Sequence, residues 1–369
     1  MSRPPFVPSI CFLYLCSPCS LRASLNRQTY SLNRQMAAAH VSFVPSMPMP
    51  ADLLDGGLWR RETWERRTTA ERLELWPHAS KAMGIDCPKL ELATFYYPTL
   101  GISIRGVRAT ENIRSAELVC RVPKLSLLSA FTIQNSSLSP LINEVGLRSA
   151  MAVFLIRESA RRESFWMPYV KALLEAHPTD GIPQMWDPVT SQERLNSLSN
   201  YSRSLAASSR ASTEAEWRRL AAVGFRRHAA ALSEGGVCGA GVCTHEQLMR
   251  ETFSLERFRN LVSVLGARQW SLPWYSPGTH ILFSAPGADL LNHGSPGDVK
   301  NRFRANEHAF TMHAKRLLRK GEEVRKFYSP TCCERYLNAF GFAPVGVAQC
   351  PSHVPQGPNP CYWRERRVI

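Results

Sequence analysis

Two short stretches carry the residue types most able to do chemistry. Residues 288–294 read ADLLNHG: a carboxylate, two leucines, then Asn292 and His293 before a glycine. An amide beside an imidazole at the end of an apolar run suits a turn, half of a metal site, or a pocket for a ligand. Residues 321–328 read GEEVRKFY and end in Tyr328. On its own such a phenol is most often a packed strand aromatic. Upstream, Arg268 closes a helical pattern, where it can cap the end of that helix. CGAGVCTH (238–245) offers two cysteines and a histidine. A structural zinc site takes four ligands in paired spacing, which neither this run nor Cys350 and Cys361 supply, so no metal is expected.

The elements that must position these groups fall into three blocks. Residues 52–84 read as helical and stop near Gly84, and CPKLELATFYY (87–97) reads as a strand. Residues 101–129 read as a glycine-punctuated turn, a short strand, a polar turn and a strand, LVCRVP, stopped by Pro123. From about 144 the pattern becomes helical. EVGLRSAMAVFLIRESARR has the dense apolar spacing of a buried helix. In SFWMPYVKALLEAHP, Pro168 fits the first turn of a second helix. In SLERFRNLVSVLGARQW (254–270), Leu255, Phe258, Leu261 and Leu265 share one face, with Ser254 as cap and Gly266 as stop. Strand texture returns at 280 and continues through HAFTMHAKRLL to a short final strand ending at Phe327 and Tyr328. CCERYLNAFGF then gives a short helix. Neither strand set alone would make a good sheet. The economical fold class is therefore α+β: one domain of short strands interrupted by a long helical insertion.

Bulk properties bound the rest. The chain has 369 residues, 44% hydrophobic and 20% charged, the balance of a globular protein with a sizeable core. Its net charge of +15 favours acidic partners. The arginines are scattered, as in RRETWERR (60–67), so no direct nucleic-acid partner is expected. No apolar run is long enough to span a membrane. The 11 cysteines are irregularly spaced, which favours reduced thiols. The first 51 residues lack Asp and Glu, contain ICFLYLC (10–16), and repeat SLNRQ at 24–28 and 31–35. They read as a targeting or disordered segment. A targeting peptide would place the protein in a plastid or mitochondrion; without one, cytoplasm or nucleus is expected.

Four motifs in this order resemble the SET-domain methyltransferases, in the branch with a helical insertion typified by Rubisco large-subunit methyltransferase-like proteins. IRGVRATENIRSAELVCRVP (104–123) is similar to the opening signature, and SFWMPYVKALL (164–174) to a segment of the insertion. ARQW (267–270) is similar to an Arg-containing segment. DLLNHG (289–294) with GEEVRKFYSPTCCERYLNAFGF (321–342) is similar to the closing pair. The resemblance covers about residues 70 to 345. It divides the chain into a helical segment 52–92, a SET N-terminal part 93–143, an insertion 144–270, a SET C-terminal part 271–345, and an irregular tail 346–369.

The resemblance implies a knot-like strand crossing and S-adenosylmethionine as methyl donor. Backbone groups of a turn at Ser103, Ile104 and Arg105 would approach the cofactor, with Gly106 letting the chain come close. Arg268 would hold its carboxylate. Asn292 and His293, anchored by Asp289, would bind its amino-acid end and adenine, and Phe340 and Phe342 would line the adenine pocket. Tyr328 would be the catalytic tyrosine. Trp270 would wall a channel for an aliphatic lysine stem. The expected partner is a protein substrate, probed by a monomeric protein-lysine methyltransferase. Histidine or histone acceptors, or a catalytically weak binding module, are the alternatives. The chain departs from the pattern at Arg105, Val107, Ser329 and Cys332-Cys333. The family's helical C-terminal substrate-binding domain is not in this sequence, which suggests a minimal member or a truncated gene model.

Overall fold

The computed structural model describes residues 59–98, 101–175, 179–238, 243–273, 280–304 and 308–344. The targeting or disordered segment and the irregular tail lie outside them. After Trp59, helix α1 (Thr69–Ala82) opens on a reciprocal cap: the Thr68 side chain accepts from the Glu71 backbone, and Glu71 reaches back to Thr68. Strands β1 (Leu90–Tyr97) and β2 (Ile102–Ala109) then form an antiparallel ribbon, with Leu90 opposite Ala109 and Tyr97 opposite Ile102. Ser103, Ile104, Arg105 and Gly106 therefore lie in a strand, where a turn was expected. Burial rises along them, from the exposed Ser103 to the buried Gly106.

Strands β3 (Leu118–Pro123) and β4 (Leu128–Ser129) lead into the helical block. Helix α2 (Leu147–Ala160) buries every residue from Ser149 onward. A helix enclosed on all sides needs no polar face, which explains its dense apolar spacing. Its two buried charges answer each other: Arg157 Nη2 lies 2.7 Å from Glu158 Oε1. Helix α3 (Met167–Tyr169) carries Pro168 at its start and runs on as a wider turn through Leu174. Helix α4 (Asn200–Arg219) follows, and α5 (Leu255–Arg268) packs on α2. Ser254 caps α5 as expected. The helix passes Gly266 and stops at Arg268, because a helical glycine costs only about 1 kcal/mol and the buried Leu265 and Arg268 hold the last turn.

The chain then returns to strands β5 (Trp270–Pro273), β6 (His280–Ser284), β7 (Val299–Arg304) and β8 (Ala309–Ala314). Helix α6 (Cys333–Phe340) follows. The sheet orders are β1-β2, β3-β8-β7 and β4-β6-β5. Strands from before the helical block thus pair with strands from after it: β3 with β8, and β4 with β6. This is the α+β arrangement of one strand domain interrupted by helices. No regular strand forms at 321–328. That stretch makes isolated bridges, Glu323 with Arg108 and Lys326 with His293. Cys87 lies beside Cys120, brought together by the Asp86–Arg121 bridge, and Cys238 lies beside Cys243.

Candidate active site

The site forms where segment 289–298 passes segment 323–328. Lys326 N donates to Asn292 O at 2.9 Å and Gly294 N donates to Lys326 O at 2.8 Å, so the two run parallel for one bridge. Asp298 N donates to Arg325 O, and Arg325 N donates to Asp298 Oδ2. The contact is backbone on backbone. A Cβ at Gly297 would fall 2.3 Å from Phe327 N, so no other residue fits there without moving the chain. This crossing places Asn292 and His293 beside Tyr328, 35 positions later.

Asn292 ties three segments together. Its Nδ2 donates to Arg105 O at 2.8 Å and to Glu323 Oε1 at 2.9 Å. The other oxygen of Glu323 accepts from Tyr97 Oη at 2.5 Å. Gly106 sits under this node: a Cβ would meet Glu323 Oε1 at 2.7 Å and Asn292 Nδ2 at 2.8 Å. Arg105 and Gly106 therefore join the site. Ser103 and Ile104 lie earlier in β2, opposite Tyr96 and Phe95.

One wall is aromatic. The Tyr328 ring lies 4.9 Å from Phe340 and 6.1 Å from Phe342, and His293 lies 5.4 Å from Tyr328 and 6.0 Å from Phe342. Tyr336 completes the group, 5.1 Å from His293 and 5.3 Å from Phe340. These separations suit edge-to-face and tilted packing. Tyr328 Oη donates to Leu291 O at 3.0 Å. Burial pushes its phenol up to about 12, so it stays protonated and acts as a donor rather than a base. His293 is shifted down by burial and then by Arg325, which favours its neutral ring. Cys332 and Cys333 start α6, the helix that carries Tyr336 and Phe340 into this wall.

The opposite wall is charged. Asp289 is buried; its Oδ2 accepts from Tyr169 Oη at 2.7 Å and lies 3.7 Å from Arg268 Nη1. Arg268 also donates from Nη1 to Asp289 O at 2.9 Å, so its head group is turned onto this segment rather than onto its own helix end. Burial raises the Asp289 carboxyl, opposed by Arg268, Tyr169, Lys326 and Arg105. Arg105 is lowered to about 10 by burial and by Arg268. Trp270 is buried, its ring 5.0 Å from Phe310. Over its other neighbour lies a cation: Lys326 Nζ stands 3.4 Å from the Trp270 ring centre and 5.0 Å from that of Tyr328. Burial lowers Lys326 to about 7, with Asp289 opposing and Arg268 adding to the shift.

Sequence reasoning named Asn292, His293, Tyr328, Arg268, Asp289, Trp270, Phe340 and Phe342, and all of them converge here. It missed Glu323, Tyr169, Tyr336 and Lys326 as site residues. The signal for Lys326 was its period. Two residues before Tyr328 on extended backbone, it points to the same face.

The pattern of the SET domain family matches residues 104–329, more than half of the sequence. The chain belongs to the SET domain family. Its SET fold is similar to that of Rubisco LSMT bound to sinefungin and monomethyllysine: TM-score 0.54, 19% identity, 74% of this chain and 57% of that one. A crystal structure of the LSMT SET domain bound to lysine and AdoHcy gives a TM-score of 0.53 at 16% identity, over 76% and 59%. Among curated proteins, this SET chain is 23% identical over 248 residues to the actin-histidine N-methyltransferase of Canis lupus familiaris, covering 64% of this chain and 38% of that protein. The protein of the same name in Homo sapiens is 35% identical over 79 residues, 20% of this chain and 13% of that protein. The chain thus spans well under half the length of these curated relatives.

Proposed function

We propose that this SET-domain protein transfers a methyl group from S-adenosylmethionine to a side-chain nitrogen of a protein. The observation that carries the reading is the crossing itself, which packs Asn292, His293 and the protonated Tyr328 into one part-buried site. When bound, S-adenosylmethionine supplies an electrophilic methyl on a sulfonium, and its transfer to nitrogen leaves a neutral thioether.

The residues present fit such a ligand. Among the described residues, Arg268 Nε, Asp289 Oδ1, Trp270 Nε1 and His293 Nε2 are buried polar atoms without a hydrogen-bond partner. So many in one place is a cost that a polar ligand would relieve. Arg268 Nε is free to meet a carboxylate and Asp289 Oδ1 an ammonium. Phe340 and Phe342 offer ring faces for a base. Tyr328 holds Leu291 O and so fixes the polar oxygens beside the reacting centre. It orients reactants and forms no covalent bond to them.

The family resemblance favours a lysine acceptor on a non-histone protein. The similarity to actin-histidine N-methyltransferases supports a second reading, in which the acceptor is an imidazole. A methyl acceptor must offer a lone pair: a lysine near pKa 10.4 must first lose a proton, while a histidine near 6.5 already has one free at neutral pH. Calorimetry with S-adenosylmethionine tests the pocket. Wild type binds, and Asn292→Ala, which frees Arg105 O and Glu323 together, binds at least about tenfold more weakly, the cost of a lost hydrogen bond to a charged group. Equal binding would show that the ligand lies elsewhere. Binding without methyl incorporation into lysate proteins would leave a ligand-binding module instead of an enzyme.

A further inference from the structure

Lys326 is the buried group that the proposed chemistry does not use. Its backbone is fixed on both sides by the crossing, through Asn292 O and Gly294 N. Its side chain therefore has a fixed root and projects onto the Tyr328 face. The ammonium rests on the Trp270 ring at 3.4 Å and near the Tyr328 ring at 5.0 Å. No carboxylate lies within ion-pair reach of it among the described residues. Asp289 acts on it only through space, and Arg268 adds repulsion. The groups facing it are thus Asp289, Arg268, the Tyr328 phenol and the Trp270 indole, with Arg105 beyond, close to Asp289 and Arg268. The aromatic surface that would receive an acceptor ammonium already carries one.

We infer that Lys326 is a specificity-determining residue: its cation bars a charged acceptor from the aromatic cleft and selects a neutral one, the imidazole of a histidine. This rests on the methyltransferase reading above. The selection follows from populations. At pH 7 only about one lysine in 10³ is neutral, whereas most histidines are, from their ordinary pKa values. A site that can accept the ammonium form and deprotonate it afterwards escapes that ratio. A site that holds its own cation against Trp270 cannot, because the second cation would enter a buried cleft with Asp289 as its nearest counter-charge. Burial keeps Lys326 titrating near neutrality, so the bar is strongest below pH 7 and relaxes above it.

The test uses the full chain, labelled S-adenosylmethionine and a cell lysate, followed by total hydrolysis and separation of methylhistidine from methyllysine at pH 6.5 and 8.5. Wild type is expected to yield mainly methylhistidine at pH 6.5 and a larger methyllysine share at pH 8.5, where Lys326 is neutral. Lys326→Met should raise the methyllysine share at pH 6.5 by about tenfold, the weight of one pKa unit. Lys326→Arg, which keeps the charge, should not. A second readout needs no turnover. By calorimetry, the ratio of wild-type to Lys326→Met affinity for S-adenosylmethionine should rise between pH 6 and 8.5, because the ammonium opposes the sulfonium while the ligand's own amino group titrates alike against both proteins. The same ratio for neutral-thioether S-adenosylhomocysteine should stay flat. Predominant methyllysine from wild type, an unchanged ratio in Lys326→Met, or label on Lys326 itself would overturn the inference while leaving the methyltransferase reading standing. A chain that neither binds S-adenosylmethionine nor transfers methyl would overturn both.

Discussion

The two walls of the site are built on different physics. The Tyr328 wall is five rings, His293, Tyr328, Tyr336, Phe340 and Phe342, held by packing. The opposite wall sets Arg268, Arg105 and Lys326 around one buried carboxylate, Asp289. Packing energy is spread over many contacts and tolerates change of shape. A lone buried anion among three cations tolerates no loss, because each partner would be left uncompensated. The aromatic wall should therefore fail gradually and the charged wall abruptly.

The largest expected effect breaks the charged wall. Arg268→Met keeps the bulk and removes the nearest cation from the buried Asp289, so urea denaturation should show a loss of about 3–5 kcal/mol. A loss under about 1 kcal/mol would mean that the carboxylate is balanced by something else. Next comes the hinge between the walls. Gly106→Ala would drive a Cβ into Glu323 and Asn292 and cost about 1–3 kcal/mol as overpacking, with weaker cofactor binding in the same sample. The aromatic wall should yield less: Phe340→Leu keeps most of the apolar volume and should cost under about 1.5 kcal/mol in the same denaturation assay.

The last effect is the most diagnostic in sign. Lys326 binds its proton near 7 in the fold and near 10.5 in the unfolded chain. Between those values the unfolded state holds the extra proton, so stability rises as pH rises from 7 towards 10.5 and is lowest below 7. Lys326→Met should flatten that part of the stability–pH curve and stabilise the protein at pH 7. A wild-type curve already flat over this window would place the ammonium in contact with water.

The sequence made the aromatic wall legible because it lies in one motif-bearing stretch. Tyr328, Phe340 and Phe342 follow GEEV at short range, and helix α6 was visible from CCERYLNAF. The charged wall was legible only in part. Arg268 and Asp289 stand in motifs, but Tyr169 reaches Asp289 across 120 residues, a pairing that no local spacing reveals. Lys326 was hidden by its type, since a lysine in a polar run reads as surface until burial is known. The strand texture at 321–328 misled for a related reason: its backbone bonds go to two different segments, to Val107 and Ala109 on one side and to Asn292, Gly294 and Asp298 on the other, so no ladder forms. Strand β7, VKNRFR, was missed because its charges conceal the alternation of Val299 and Phe303. The interrupted strand domain itself was readable, because neither half had strands enough to stand alone.

Methyl transfer at the crossing of Asn292-His293 with Tyr328 is measured by methyl incorporation from labelled S-adenosylmethionine into lysate proteins, wild type against Tyr328→Phe. Loss of the hydroxyl removes its bond to Leu291 O and the alignment that depends on it. Wild type is expected to incorporate label and the variant about 10²-fold less, the scale of a misaligned reaction, with unfolding stability lower by only about 1 kcal/mol. Equal incorporation by the two proteins would rule out Tyr328 as the aligning group.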